Sequence, residues 1–354
     1  IRAYVYYNLI DLYGNVPLVA RIETTLPLQS SREDIFNFIE EELLEIQNEL
    51  ATSGSNEYGR VDQVAAWALL SRLYLNAEVW TGTPRYNDCV TYSTNVMNST
   101  YSLHTTDING NGSAYDELFL ADNSSNGAQN EFIFTLNFDG LNSQTYGGTT
   151  FLVHAAVGGS MNPNDFGVNG GWGGIRTTSA LVNKMGANDK RAMFYTNGQS
   201  LEISNIRRFT DGYAITKFKN VTSTGQIGRD ASGNFVDTDL PLIRLSEIYL
   251  NYAEATLRGG NGSLSEALNR INQIRTRAYG SSNGNITSGD LTLNFILDER
   301  ARELYWEGQR RTDLIRFNYF TTNSYVWPFK GNVPSGSAVG NFRNLFPIPS
   351  NTLQ

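Results

Sequence analysis

Two stretches of the chain carry side chains that could bind a ligand rather than simply pack. Tyr146-Gly147-Gly148 and Gly170-Gly171-Trp172-Gly173-Gly174 each set a single large aromatic residue in a glycine run. Glycine permits close backbone approach and dihedrals closed to other residues, so a ring set among glycines can stand out as a flat wall. Flat aromatic faces suit carbohydrate. Axial C–H groups make one face of a sugar ring weakly apolar, and that face stacks on Trp or Tyr while Asn, Asp, Arg and backbone groups bond the hydroxyls. Composition alone leaves a second reading of Trp172 open, as a core residue beneath a loop.

Oxygen-rich clusters form the other constellation. Asp237-Thr238-Asp239 and the loop Asp122-Asn123-Ser124-Ser125-Asn126 offer the carboxylate and amide oxygens that a calcium ion takes six to eight at a time. The plainer reading is a helix-entry turn and a polar loop. Signals for catalysis are weak. Gly170–Gly174 lacks the Gly-Lys-Ser/Thr of a phosphate-binding loop, and two histidines outside any triad motif do not describe a nucleophilic hydrolase. The total of 35 Asp and Glu leaves room for a glycoside-hydrolase pair. Glu299, Glu303 and Glu307, however, interleave with Arg300, Arg302 and Arg310 at helical spacing, which predicts salt-bridged helix faces.

A helical scaffold must position these loops. Leu70-Ser71-Arg72-Leu73-Tyr74-Leu75-Asn76 recurs as Leu245-Ser246-Glu247-Ile248-Tyr249-Leu250-Asn251, with five of seven positions identical. Such self-similarity points to stacked helix pairs that bury their apolar faces against each other. The first pair is predicted from Val61 to Val79 and from Tyr86 to Met97, broken at Thr81-Gly82-Thr83-Pro84. The second runs from Leu245 to Leu257, stopped by Gly259-Gly260, and from Ser265 to Arg277. The units resemble degenerate tetratricopeptide repeats. Between them, residues 98–235 are rich in Gly, Asn, Ser and Thr, with short β-like runs at Glu131–Leu136 and Ala214–Phe218. The predicted fold is therefore mainly α: a scaffold over 1–97, a loop-rich ligand-binding insertion over 98–235, and a second repeat with C-terminal helices over 236–354, forming one compact unit.

Composition narrows the function. With 354 residues, 40% of them hydrophobic, the chain can bury a large core. A formal charge of −8 speaks against nucleic acid, whose binding rests on clustered Lys and Arg. No apolar run approaches the length of a transmembrane helix. The single cysteine, Cys89, has no intrachain partner, and with only His104 and His154 a Cys/His zinc site is ruled out. A buried thiol is expected.

Taken together the segments resemble the SusD/RagB family of outer-membrane nutrient-binding lipoproteins of Bacteroidetes. Those carrying the likeness are Tyr7–Leu18, Gly59-Arg60-Val61, the Leu240–Glu254 stretch, Glu299–Phe317 and Phe346–Pro349. The middle resembles the starch-binding branch through Asp116–Asn123, Tyr146–Val153, Gly171-Trp172 and Phe209–Gly212. The resemblance implies a non-enzymatic protein binding starch-like α-glucan, with Tyr146 and Trp172 in its aromatic arc. An extra glycine before Trp172 departs from the family pattern. It also implies a structural calcium between the regions of Asp122 and of Asp237 and Asp239, and a SusC-like TonB-dependent outer-membrane transporter as partner. A signal peptide, a lipid-bearing cysteine and further helices are expected before Ile1, where the sequence opens inside a helix. Another polysaccharide, or peptides as in the RagB branch, is the alternative ligand.

Overall fold

The computed structural model describes residues 1–22 and 27–348. Helices α1 (Arg2–Tyr13), α2 (Arg32–Ile46), α3 (Gln63–Leu75), α4 (Ala77–Thr81) and α5 (Tyr86–Met97) come first. The loop-rich stretch that follows holds strand β1 (Phe132–Leu136), α6 (Gly148–Ala156), the single turn α7 (Ser179–Val182) and the two-residue strands β2 (Phe194–Tyr195) and β3 (Ala214–Ile215). Strand β4 (Leu240–Arg244) runs directly into α8 (Leu245–Leu257), and α9 (Leu264–Tyr279), α10 (Leu293–Leu304) and α11 (Arg310–Arg316) complete the chain. The fold is mainly helical, as the sequence predicts. Pro349, at the end of the Phe346–Pro349 segment, lies outside the described residues.

Local chemistry sets the helix ends. Ser31 and Asp34 form a reciprocal capping box on α2, and the Asp62 carboxylate accepts from the Val64 and Ala65 amides to start α3. Ser263 caps α9, which ends on left-handed Gly280. The helix predicted over Val61–Val79 is instead split at Asn76. The Asn76 amide turns back to the Arg72 carbonyl at 2.9 Å while its oxygen accepts from Arg316 at 2.8 Å, so the residue leaves helical geometry.

Two apolar cores result. The larger joins α1, α2, α3, α5, α8 and α9 through residues such as Ile10, Ile39, Leu70, Leu73, Ile248, Leu250, Ile271 and Ile274. The smaller belongs mostly to the loop-rich stretch, with Tyr115, Phe119, Phe132, Val153, Phe166, Ile215 and Phe218, and takes Tyr305 from beyond α10. Strand β1 divides them. It pairs antiparallel with β4, Phe132 opposite Arg244 and Leu136 opposite Leu240, and adjacent residues Phe132 and Ile133 enter different cores. Cys89 is buried near Ser71, and burial pushes its thiol up to about 12.

The repeat copies meet through the polar position at which they differ. Arg72 Nε lies 2.7 Å from Glu247 Oε1, both side chains buried. The asparagines ending the two copies also play matching parts. Asn76 accepts from Arg316 and Asn251 from Arg300, which tethers α10 and α11 to the repeats.

Glu299, Glu303 and Glu307 are salt-bridged, as the spacing predicts, but for the most part not to arginines of their own helix. Only Glu299–Arg302, at 2.7 Å, is a pair within α10. The other partners come from remote chain: Arg191 to Glu299 and Glu303, Arg275 to Glu299, Arg244 to Glu131, Glu303 and Glu307, Arg277 to Glu131 and Glu303, and Lys217 to Glu307. All are buried or nearly so. Burial alone would raise the Glu299 pKa, but Arg191, Arg302 and Arg275 override it and hold the group at about 2.

Removing one partner of such a lattice strands a buried charge, which costs about 3–5 kcal/mol, whereas exposed pairs contribute at most about 1 kcal/mol. Glu303→Gln should therefore lower the free energy of chemical denaturation by about 3–5 kcal/mol. Glu57→Gln, which removes an exposed pair with Arg60, should leave it nearly unchanged. The depressed Glu299 carboxyl gives the sign of the acid response. Its contribution is complete above the ordinary value of 4.5 and is lost as pH falls toward 2. Equal stability of the two variants would refute the structural role of the lattice.

Candidate functional site

Tyr146 and Trp172 lie side by side at the surface. Their ring centroids are 6.2 Å apart, and they are 61% and 46% exposed, so Trp172 is not the core residue that composition alone allowed. Two further rings extend the patch. Phe151, on α6, is 44% exposed and 5.9 Å from Trp172, and half-buried Phe235 lies 5.0 Å from Tyr146. Residues 141–148, which lead into the patch, are exposed throughout. Among the described residues, neither the Tyr146 hydroxyl nor the Trp172 indole N–H has a hydrogen-bond partner.

The glycines let the Trp172 loop lie flat on α6. The amides of Trp172, Gly173 and Gly174 donate to the carbonyls of His154, Val157 and Ala155 at 2.8, 2.9 and 3.0 Å. A Cβ at Gly171 would lie 2.1 Å from the Val157 oxygen, and Gly173 has φ +57°, so neither position tolerates a side chain without distortion. His154 fixes the indole from below. Its ring stacks on Trp172 at 5.0 Å and 17°, Nδ1 lies 2.8 Å from the Gly170 oxygen, and Nε2 lies 3.0 Å from the Asn234 oxygen. One imidazole thus ties the Trp172 loop to the loop bearing Phe235, and acts as a positioning residue.

Phe151, Phe235 and His154 escaped the sequence reading. Helix α6 begins at Gly148, inside a Tyr-Gly-Gly run that reads as loop. Helical spacing from Gly148 was the available signal, since it sets Phe151 and His154 three residues apart on one face.

The carboxylates read as calcium ligands are placed differently from one another. The two segments do meet, but through Asn123, whose side chain pairs with the Asp239 backbone at 2.9 and 3.1 Å. Asp122 turns away to the Ser223 amide and hydroxyl. Asp237 accepts from the Gly140 amide and from Arg229 Nη2 at 3.0 Å, so an arginine already supplies its counter-charge. Asp239 is buried, accepting from the Phe138 amide at 2.6 Å and the Tyr58 hydroxyl at 2.8 Å; burial, with Asp237 adding to it, pushes its carboxyl up to about 6. Among the described residues no three His, Cys, Asp or Glu side chains converge as metal ligands. As placed, this donor set does not fit a calcium ion.

Comparison with known proteins places these features in context. A family model described as the SusD family matches residues 185–354. The chain is 33% identical to the starch-binding protein SusD of Bacteroides thetaiotaomicron over 397 residues, covering 99% of this chain and 68% of that protein. In fold it is similar to a SusD superfamily protein from Parabacteroides distasonis, with a TM-score of 0.71, 23% identity, and 99% and 74% of the two chains covered. It is also similar to the surface glycan-binding protein A of Bacteroides thetaiotaomicron, solved in complex with laminarihexaose. There the TM-score is 0.75 and the identity 21%, over 99% of this chain and 74% of that one.

Asp239 gives a pH test that also decides the cation. A carboxyl raised from 3.8 to about 6 stabilises the fold below the lower value, and that contribution is lost as pH rises through about 6. Asp239→Asn, measured with a chelator present, should therefore melt higher than the parent at pH 7.5 and show no gain at pH 4. Added calcium should leave the parent's melting temperature unchanged. A calcium-dependent rise that Asp237→Ala abolishes would reinstate the ion.

Proposed function

Because the chain belongs to the SusD family, we propose that it is a non-enzymatic glycan-binding protein that recognises starch-like α-glucan on its aromatic platform. The observation that carries this is the exposed pair Tyr146 and Trp172, widened by Phe151 and Phe235, with a phenol and an indole N–H that have no partner among the described residues. A tilted run of rings offers successive sugar faces stacking surfaces that follow a curved chain. The resemblance of the 33%-identical relative, a starch-binding protein, supports the α-linked ligand. A different polysaccharide is the second reading, favoured by the structural neighbour holding laminarihexaose.

Binding rather than hydrolysis fits the state of the carboxylates. Glu299, Glu303 and Glu307 are locked to guanidinium or ammonium groups in the interior, where they can neither give nor take a proton from a sugar. Each stacked ring contributes about 1 kcal/mol beyond its buried area, so a single sugar unit binds weakly. A repeating ligand offsets this through effective concentration. Family membership further supports a cell-surface lipoprotein that delivers its glycan to a SusC-like TonB-dependent transporter. Among the described residues, no helix is long and apolar enough to cross a membrane.

Two measurements test the reading. In native gels the protein should be retarded by amylopectin and not by dextran, an α-1,6-linked glucan, with equal mobility in both sinking the starch-like assignment. Trp172→Ala should weaken binding at least about tenfold, equivalent to about 1.4 kcal/mol. Its melting temperature should barely move, because a half-exposed ring leaves no cavity of the kind that costs a buried Trp about 3–5 kcal/mol. Retained binding with a large loss of stability would remove Trp172 from the site.

A further inference from the structure

A wide groove lies away from the platform. It has a volume of about 800 Å³ and runs between one face of α9 and the segment 97–114. That is ample for a small ligand, since such sites span about 300–1,000 Å³. Its charges are spent internally. Arg270 is neutralised by Glu266 at 2.6 Å, Arg277 by Glu131 and Glu303, and the Asp107 carboxylate accepts from the Asn111 and Gly112 amides.

Asn272 and Thr276 are engaged with the neighbouring loop, but other neutral hydrogen-bonding groups of the groove are not spent. The Tyr249 hydroxyl accepts from Arg270 at 3.1 Å and donates to no described residue. Gln273 does no more than accept weakly from Arg270 at 3.5 Å, and the Asn269 side chain pairs with nothing described. Asn269 and Gln273 are four residues apart and share the α9 face that lines the groove. Opposite them stand Leu103 and the Tyr101 ring, held by its hydroxyl bond to Asp62 at 3.0 Å.

Unspent amides, the free proton of the Tyr249 hydroxyl and an apolar and aromatic wall describe a surface for a neutral polyol. Neither guanidinium that lines the groove, Arg270 or Arg277, is left without a carboxylate partner for an added anion. A peptide adding itself as a β-strand would find no strand edge. We propose that this groove is a second saccharide site, taking one or two neutral sugar units of a glycan independently of the platform. The assignment shares with the platform only its ligand class; it rests on the groove's own donors. Two sites on one chain would hold a long polysaccharide at two points and raise its apparent affinity by linkage rather than by new contacts.

Hydrogen–deuterium exchange of the 354-residue chain with maltoheptaose, and separately with laminarihexaose, tests this. With either sugar at a few times its Kd, amides in 97–114 and 264–285 should exchange about fivefold more slowly. The slowing should persist in Trp172→Ala and vanish in Asn269→Ala/Gln273→Ala. Both substitutions in that double variant favour a helix, and an unchanged melting temperature checks that it folds. Slowing confined to 141–175 would overturn the second site and leave the platform standing. Groove slowing that disappears with Trp172→Ala would overturn its independence. Slowing in the groove alone would support the second site and remove the platform. No slowing with either sugar would overturn both.

Discussion

A charge taken out of water must be given its water back in another form, and this requirement organises the molecule. Glu131, Glu303 and Glu307 are buried, and each is held by guanidinium or ammonium groups from elsewhere in the chain. Arg244 alone reaches all three. Desolvation of an unpartnered ion costs several kcal/mol, so the lattice tolerates one arrangement of β1, β4, α9 and α10 and penalises every slip from it. Apolar packing supplies most of the driving force for folding, but it is less particular about register.

Fixing that register fixes the ligand loops. Strand β1 ends at Leu136, and the exposed run toward Tyr146 follows within a few residues. On the other side, β4 begins at Leu240, shortly after Phe235 and the Asn123–Asp239 pairing. The platform is thus strung between strand ends that the buried charges hold. His154 then ties the Trp172 loop to the loop bearing Phe235. The flat surface that a sugar ring needs is assembled from loops, yet none of its rings hangs on a long free segment.

Much of this was legible in the sequence. The helix pairs followed from apolar spacing, caps and glycine stops, and Tyr146 and Trp172 stood out because glycine surrounds each. What escaped was the identity of partners far apart in sequence. Glu299, Glu303 and Glu307 sit at spacings that match nearby arginines, and nothing local reveals that Arg191, Arg244 and Arg277 outcompete them. Asn76 looked like one more helical residue because its bond to Arg316 crosses 240 positions. Spacing along one helix reports neighbours on that helix and is silent about whatever else docks there. The same blindness hid that Asn123, rather than Asp122, joins the two segments, through the Asp239 backbone.

The Arg72–Glu247 pair has a consequence for ancestry. If the two helical units descend from one duplicated segment, identical copies would have faced each other with identical residues at this position. Two arginines would repel across a dry interface, and two glutamates likewise. Divergence to opposite signs made each copy the other's complement and ended their interchangeability. Across relatives these two positions should then change together or not at all, a correlated pair of sites recording the moment when a repeat became two distinct parts.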